Sequence, residues 1–130
     1  MSNIEKYNEN IFESIKHIDQ NGNEYWYARE LSKVLEYRDW RNFQKVVDNA
    51  IVFAKNSVSN NGGWVVEVNK PIKTGKGKEK LIKDYKLSRY ICYLIFQNAD
   101  SSKEVVALGQ TYFTVQTRKQ KLLQEYNLLP

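Results

Sequence analysis

Apolar residues recur along this chain with two periods, one typical of strands and one typical of helices. Near the amino terminus, two apolar segments flank the sequence QNGN at 20–23, and an Asn-Gly pair in that position favours a β-hairpin. We therefore predict strands near 14–19 and 24–27. From Ala28 the apolar spacing becomes helical and predicts a short helix that ends near Tyr37.

A second, longer amphipathic helix is predicted after Asp39, whose side chain can cap the first turn by accepting a backbone hydrogen bond. Its apolar stripe recurs in steps of three and four residues, at Trp40, Phe43, Val47, Ala50 and Ala54. Its outer face is polar and carries Arg41, Gln44, Lys45 and Asp48. The two helices together have the outline of a helix-turn-helix.

A second hairpin is predicted in the middle of the chain. Residues 57–63 are polar and end in two glycines, so we expect a loop there. The segments on either side of TGKGKEK at 74–80 form the two strands, and Pro71 fits an edge strand because its missing N–H leaves no hydrogen bond unmade there. We expect Gly75 and Gly77 to supply the positive φ angles of the turn.

Two further helices are predicted in the last third of the chain. Ser88 can cap a helix that is apolar almost all round, as a central core helix should be, and that ends at Asn98. Ser101 and Glu104 have the spacing of a capping box and would start a helix at about 102–126. Its apolar stripe has heptad spacing with one lysine, at Val105, Leu108, Tyr112, Val115, Lys119 and Leu122.

These elements define an α+β fold of two small antiparallel hairpins and about four helices, the last of them long. A chain of 130 residues that is 42% hydrophobic is long enough for one core and short for two. We expect a single domain at 1–130, with its core at about 11–100 and the long helix at 101–128.

The positive charge of the chain is concentrated in one segment. Residues 70–86 contain seven lysines against Glu79 and Asp84, so their net charge equals the +5 of the whole chain, and the other residues are neutral together. Clustered lysines on a neutral body favour phosphate binding, because neutralising phosphates releases counterions. The same lysines would also discourage edge-to-edge pairing of an exposed strand, which is the alternative interpretation.

No catalytic, metal or cofactor site is predicted. His17 has no second His or Cys at ligand spacing, and the single cysteine, Cys92, lies in an apolar run that we expect in the core. GKGKEK lacks the frame of a phosphate-binding P-loop, and no serine has the setting of a catalytic nucleophile. Because the sequence shows neither 18 consecutive apolar residues nor a secretory signal, we expect a cytoplasmic protein without membrane contact.

The candidate functional surfaces are the basic hairpin and the start of the second amphipathic helix. Lysines suit phosphates, and the helix offers the residue types that read base edges, although such residues are more often the solvated face of an ordinary helix. The residues that we expect to contact nucleic acid are Lys73, Lys76, Lys78, Lys80 and Lys83 of the hairpin, and Arg41, Asn42, Gln44 and Lys45 of the helix.

Long segments of the chain resemble a known family. The most specific are YWYARELSKVLEY with DWRNF, and DYKLSRY with QTYFTVQTR. They are similar to the DNA-damage-inducible protein D family, whose amino-terminal part resembles the Bro-N domain of phage antirepressors and baculovirus Bro proteins. The resemblance implies a bacterial accessory protein of the DNA-damage (SOS) response, with a Bro-N-like fold and without a known cofactor. Members are generally longer, so we expect this chain to be the amino-terminal portion of one.

Two classes of function stay open at this stage. The chain either binds DNA, single- or double-stranded, through the hairpin and the second helix, or it docks on DNA-repair or recombination proteins or nucleoprotein filaments without touching DNA. An enzyme is a distant third. The stripe along the last helix also predicts a homodimer seam.

Overall fold

The computed structural model describes residues 10–56, 64–99 and 102–127. Within these residues the chain forms five α-helices and four strands, which confirms the α+β class. The helices are α1 Asn10–Ser14, α2 Ala28–Val34, α3 Trp40–Asn56, α4 Arg89–Gln97 and α5 Glu104–Asn127. The strands are β1 His17–Ile18, β2 Glu24–Tyr27, β3 Val65–Lys73 and β4 Glu79–Leu87.

The four strands form one antiparallel sheet in the order β1-β2-β4-β3. The two hairpins predicted from the sequence are therefore joined, because β2 pairs with β4 through Trp26 opposite Leu87 and Tyr27 opposite Lys86. Side chains alternate between the two faces of a strand. Trp26 and Leu87 are fully buried and belong to the core, while Tyr27 and Lys86 lie on the opposite face.

The first hairpin is shorter than predicted, because part of its expected first strand is helical. The segment near 14–19 contains the end of α1 and only two strand residues. Phe12 of α1 is fully buried, and its carbonyl accepts a hydrogen bond of 3.0 Å from the Trp26 indole. The turn is closed by the Asp19 carboxylate, which accepts backbone hydrogen bonds from Asn21 and Asn23.

The helix pair at 28–56 follows the predicted pattern. α2 ends at Val34, before the predicted end near Tyr37, since Glu36 adopts a left-handed φ of 62° that interrupts helical geometry. The predicted cap of α3 is confirmed, because the Asp39 side chain accepts from the Arg41 backbone N–H at 2.9 Å. The apolar stripe faces the core, with these members buried: Phe43, Val47, Ala50 and Ala54.

The second hairpin is confirmed, with β3 at the edge of the sheet and Pro71 within it. The predicted turn geometry was wrong at one position. The residues with positive φ are Lys76 at 66° and Gly77 at 74°, and Gly75 is not among them. The turn is closed instead by Thr74, whose N–H and hydroxyl both donate to the Lys78 carbonyl. The loop predicted at 57–63 lies outside the described residues.

α4 is the central core helix that the sequence predicts. The Ser88 hydroxyl oxygen accepts from the backbone N–H of Ile91 at 3.3 Å and of Trp64 at 3.1 Å, so one side chain caps the helix and ties it to the start of β3. Most of the helix is buried, including Ile91, Cys92, Leu94, Ile95 and Phe96. It packs against α3 on one side and α5 on the other.

α5 crosses α4 through its first half. Val105, Tyr112 and Phe113 are buried there, and the Tyr112 hydroxyl lies 2.7 Å from Glu13 at the end of α1. Farther along, Leu122 and Tyr126 are exposed. The predicted cap of this helix, Ser101, lies outside the described residues. None of the helices in the described parts of the chain is long and apolar enough to cross a lipid bilayer.

Candidate nucleic-acid interface

The β3–β4 hairpin projects from the body of the protein. Every residue from Pro71 to Leu81 is exposed, and we call this segment the arm. Three residue pairs of the arm are in register, from Pro71 opposite Leu81 to Lys73 opposite Glu79, before the chain turns. At about 3.3 Å per residue they reach roughly 10 Å beyond the body.

Contacts on one face of β4 fix the base of the arm to the helix pair. The Arg29 guanidinium lies 4.2 Å above the Trp40 ring, and its Nε donates to the Lys83 carbonyl at 2.7 Å. The Gln44 amide donates to the Tyr85 hydroxyl at 3.2 Å, and the Tyr85 ring stacks on Trp40. The arm therefore leaves the body at a fixed position beside the start of α3.

A buried carboxylate holds the other face of the hairpin. Asp84 is fully buried, and its Oδ1 accepts from the backbone N–H of Arg29 at 3.0 Å and of Tyr85 at 2.8 Å. The carboxylate thus caps the start of α2 from a neighbouring strand, where the helix dipole favours negative charge. The Lys70 ammonium lies 2.9 Å from Oδ2, outside good hydrogen-bonding geometry, so we describe this contact as an ion pair.

The seven lysines of the hairpin fall into two groups. Lys70, Lys83 and Lys86 lie at the base and have partners within the protein. Lys70 also lies over the Tyr27 ring, Lys83 is 2.9 Å from Glu67, and Lys86 lies over the Tyr25 ring. The hydrogen bond to Glu67 raises the pKa of Lys83, so its ammonium stays charged.

The other group lies on the arm. Among the described residues, no carboxylate lies within ion-pair distance of these four ammonium groups: Lys73, Lys76, Lys78 and Lys80. Glu79 is the one acid of the arm and lies opposite Lys73 in the ladder without an ion-pair contact, so solvent ions balance most of the charge of these lysines. Exchanging those ions for phosphates releases them into solution.

The α3 residues that were predicted to contact nucleic acid also fall into two groups. Arg41, Asn42 and Lys45 are exposed on the first two turns, where a ligand could reach them. Gln44 is half-buried and its amide is engaged by Tyr85, so its first role is to hold the hairpin. The structure thus brings the arm and the exposed start of α3 to one side of the molecule, through Trp40, Gln44 and Tyr85.

Sequence reasoning missed two residues that build this site. The helix predicted from Ala28 to near Tyr37 includes Arg29 without giving it a role at the site, and Asp84 enters the sequence analysis only as one of two acids among the lysines of 70–86. A signal for Asp84 was present in the strand period, because positions 80, 82, 84 and 86 share one face with Lys70 on the paired strand. No local pattern predicts that the Arg29 guanidinium reaches β4, since the two residues are far apart in sequence.

Other chemistry-bearing side chains lie away from the arm. His17 is 2.7 Å from Glu30 and packs on the rings of Tyr25 and Tyr27. Cys92 is fully buried, and burial raises the pKa of its thiol well above the ordinary value. The described residues contain no group of three His, Cys, Asp or Glu side chains placed to hold a metal ion.

Comparison with known proteins agrees with the resemblance inferred from the sequence. Residues 14–114 match the N-terminal domain of the BRO family, a range that includes both hairpins and α2 to α4. The chain is 44% identical over 111 residues to DNA damage-inducible protein D of Escherichia coli strain K12, which covers 85% of this chain and 40% of that protein. The chain thus spans about two fifths of the length of this curated relative. No solved structure matches the chain significantly.

Proposed function

The chain belongs to the BRO family, since residues 14–114 match the N-terminal domain of that family, and we propose that it is a non-catalytic DNA-binding module of the bacterial DNA-damage response. The relative's name supports the link to DNA damage, and the arm supports the link to DNA. Action on bacterial DNA during the SOS response would place the module in the cytoplasm.

The observation that carries this proposal is the group of four arm lysines without carboxylate partners. Together with Glu79 they give the arm a net charge of +3, out of +5 for the whole chain, so most of the net positive charge lies where the chain reaches farthest into solvent. Lysine is a mobile point charge that suits phosphate oxygens better than it suits base edges. The arm should therefore contribute affinity without sequence preference.

The start of α3 supplies the second part of the interface. Arg41, Asn42 and Lys45 are exposed, and Arg and Asn are residue types that form bidentate contacts with guanine and adenine. Any sequence preference should therefore depend on Arg41 and Asn42, while Lys45 contacts phosphate. Gln44 and Lys83 act indirectly, because their side chains already hold the hairpin in place.

The salt dependence of DNA binding tests the role of the arm. If the four arm lysines neutralise about four phosphates, log K falls against log salt with a slope near −3 to −4, at roughly −0.7 to −0.9 per phosphate. Changing Lys76, Lys78 and Lys80 together to glutamine should weaken binding to all sequences alike. It should also flatten the slope by about two to three units. A fluorescence anisotropy titration at several salt concentrations measures both effects.

A matched control separates local charge from net charge. Lys33, Lys55 and Lys119 are exposed lysines outside the arm, and changing all three to glutamine removes the same charge from the protein. We expect this control to keep the parent's salt slope. An unchanged slope in the arm variant would remove the arm from the DNA interface.

The alternative is a protein-interaction module that docks on repair proteins or nucleoprotein filaments. The observation that favours it is the apolar end of α5, where Leu122, Leu123 and Tyr126 are exposed. Under this alternative the arm would meet an acidic protein surface. Absence of DNA binding at low salt, for both single- and double-stranded DNA, would decide for the protein partner.

A further inference from the structure

The β3–β4 hairpin distributes its charges unequally between its two faces. Side chains alternate along each strand, and residues paired across the ladder lie on the same face. The face that we call the inner face contains Tyr85, which stacks on Trp40 of α3, and the core residue Leu87. The charged side chains of the inner face are two lysines and two carboxylates, at Lys73, Lys83, Glu67 and Glu79. The inner face therefore has no net charge.

The opposite face, which we call the outer face, is basic. Its charged side chains are three lysines and one carboxylate, at Lys70, Lys80, Lys86 and Asp84, so its net charge is +2. The single carboxylate is fully buried and lies 2.9 Å from the Lys70 ammonium. The accessible charge on this face of the hairpin is therefore all positive, and a polyanion is attracted to it more strongly than to the inner face.

The outer face also exposes apolar side chains. In each of its four cross-strand pairs, a charged side chain lies opposite a β-branched apolar one: Val66 with Lys86, Val68 with Asp84, Ile82 with Lys70, and Ile72 with Lys80. Val66 is 47% exposed and Ile72 is 39% exposed. Tyr27 of β2 is half-buried and continues this face, because it pairs with Lys86. One face of an antiparallel sheet can be solvated, but apolar side chains that follow one another along it indicate a surface for a ligand.

Alternating lysine and apolar side chains suit a single strand of DNA better than a duplex. A single strand offers both its phosphates and the faces of its bases, so lysines can neutralise the backbone while the bases pack on aromatic and apolar side chains. The open face of a four-stranded sheet is one of the platforms that bind unpaired bases in this way. In a duplex the base faces are stacked inside, so the apolar side chains of the outer face would gain little contact.

We propose that the outer face, together with Lys76 and Lys78 in the turn of the arm, binds single-stranded DNA without sequence preference. This inference rests on the proposed function and adds a second surface, on the opposite side of the hairpin from α3. The strand lies across β4 and β3, with its bases against Val66 and Ile72 and its phosphates near the lysines. Sequence preference is not expected, because the outer face of these two strands has no Arg, Asn or Gln to read base edges.

Binding of a labelled thymidine oligonucleotide of about 16 nucleotides, compared with a duplex of about 16 base pairs, tests the outer face. Changing Val66 and Ile72 together to threonine keeps β-branched side chains, which suit a strand, but removes apolar contacts. We expect this variant to bind the single strand roughly tenfold more weakly than the parent does, since buried methyl groups are lost from the complex. Its affinity for the duplex and its salt slope should stay those of the parent, because the lysines are intact.

A matched double variant isolates the face. Leu81→Thr with Val52→Thr changes two apolar positions that are also exposed, 66% on the inner face of the arm and 57% on α3. This control should bind the single strand as the parent does. All four changed side chains are more than one third exposed, so we expect both double variants to give the parent's circular dichroism spectrum.

A lysine at the base of the outer face tests its charge. Lys86→Gln should flatten the salt slope for the single strand by about 0.7, the value for one phosphate contact. Lys33→Gln changes an exposed lysine on α2 and should leave that slope unchanged. An unchanged slope for Lys86→Gln would overturn phosphate binding on this face.

The possible failures are distinguishable. A parent that binds duplex but no single strand, or equal single-strand affinities of the two double variants, would overturn the outer face as a single-strand site and leave the proposed function standing. Equal losses of single-strand and duplex binding in the Val66 and Ile72 variant would overturn the preference for a single strand. Absence of binding to any DNA by the parent would overturn both the inference and the proposed function.

Discussion

Gly109 on α5 lies directly against the Phe96 ring of α4. A Cβ atom at this position would overlap the ring carbons, and Phe96 is fully buried with its ring against those of Phe12 and Phe113. Glycine is therefore required here by close approach of the two helices rather than by backbone conformation. The close approach of α4 and α5 at this point requires a residue without a side chain.

Gly109→Ala should destabilise the protein by about 1–3 kcal/mol, the usual cost of an extra methyl group in a packed core. The free energy of unfolding in urea measures the effect. Gly75→Ala is the matched control, because its Cβ would meet nothing within 4 Å and its φ is not positive. Equal stability of the two variants would show that α5 does not pack on α4 as described.

Leu94→Ala tests the core position of α4. Leu94 is 5% exposed and belongs to the same core cluster as Phe43 of α3. Truncation of a buried leucine costs about 2–5 kcal/mol, because a cavity remains. Urea unfolding of this variant should give a value in that range, and a loss below about 0.5 kcal/mol would place the helix at the surface.

At the scale of the elements, β4 performs two tasks with its two halves. Its second half, from Asp84 to Leu87, is buried or half-buried and joins β2, β3 and α2. Its first half is exposed and forms one side of the arm. Asp84 lies where the two halves meet, and it connects the strand to both α2 and Lys70.

Asp84→Asn should destabilise the protein by about 1–3 kcal/mol, since Lys70 loses its carboxylate and a buried polar contact is left incomplete. Glu67→Gln is the matched control on the same hairpin. It removes an ion pair with Lys83 whose members are both more than 40% exposed, and such pairs contribute at most about 1 kcal/mol. Thermal melting of both variants gives the comparison, and a smaller effect for Asp84→Asn than for Glu67→Gln would contradict it.

Glu13 connects α1 to α5 and makes this contact dependent on pH. Hydrogen bonds from Lys16 and Tyr112 lower the pKa of Glu13 below its ordinary value of 4.5. Because the folded-state pKa is the lower one, the stabilisation is fully present above the ordinary value and is lost as the pH falls through the folded value.

Glu13→Gln should therefore lower Tm at pH 7, and this difference in Tm should shrink toward pH 3, as the parent's carboxyl becomes protonated on passing its folded-state pKa and then resembles the amide. Melting curves across this pH range check the sign. The same Tm difference at both pH values would mean that the charge of Glu13 makes no contribution.

At the scale of the whole molecule, the arm at one edge carries most of the net positive charge, and an apolar helix end is exposed at another. The heptad stripe of α5 is used inside the domain at Val105 and Tyr112, whereas Val115 and Leu122 are exposed. The same stripe can therefore serve the core and a contact between molecules. The homodimer inferred from the stripe stays a prediction.

Sedimentation velocity across a concentration series tests the predicted homodimer. If the exposed leucines form a seam, the parent should self-associate at high micromolar concentration, and Leu122→Glu should shift it to a monomer by placing like charges in the seam. Val52→Glu, an exposed apolar position on α3, is the control and should leave the association unchanged. A parent that stays monomeric would rule out the seam.

The sequence by itself determined the features that depend on local hydrogen bonds and on apolar period. The caps at Asp39 and Ser88, the buried α4, the edge strand with Pro71 and the concentration of charge at 70–86 could all be predicted, because each involves residues close together in the chain. The five-residue α1 was missed, since it is too short to show a helical period and is fixed by burial of Phe12.

Only the tertiary structure decided which lysines of the second hairpin have partners within the protein and how the two hairpins combine in one sheet. The pairing of β2 with β4, the reach of Arg29 across 54 positions to the Lys83 carbonyl, and the burial of Asp84 beside Lys70 all join distant segments. The division of seven similar lysines into three with partners and four without follows from these contacts. Whether a carboxylate or an aromatic ring interacts with a lysine ammonium depends on the distance between them in space, which the local sequence does not specify.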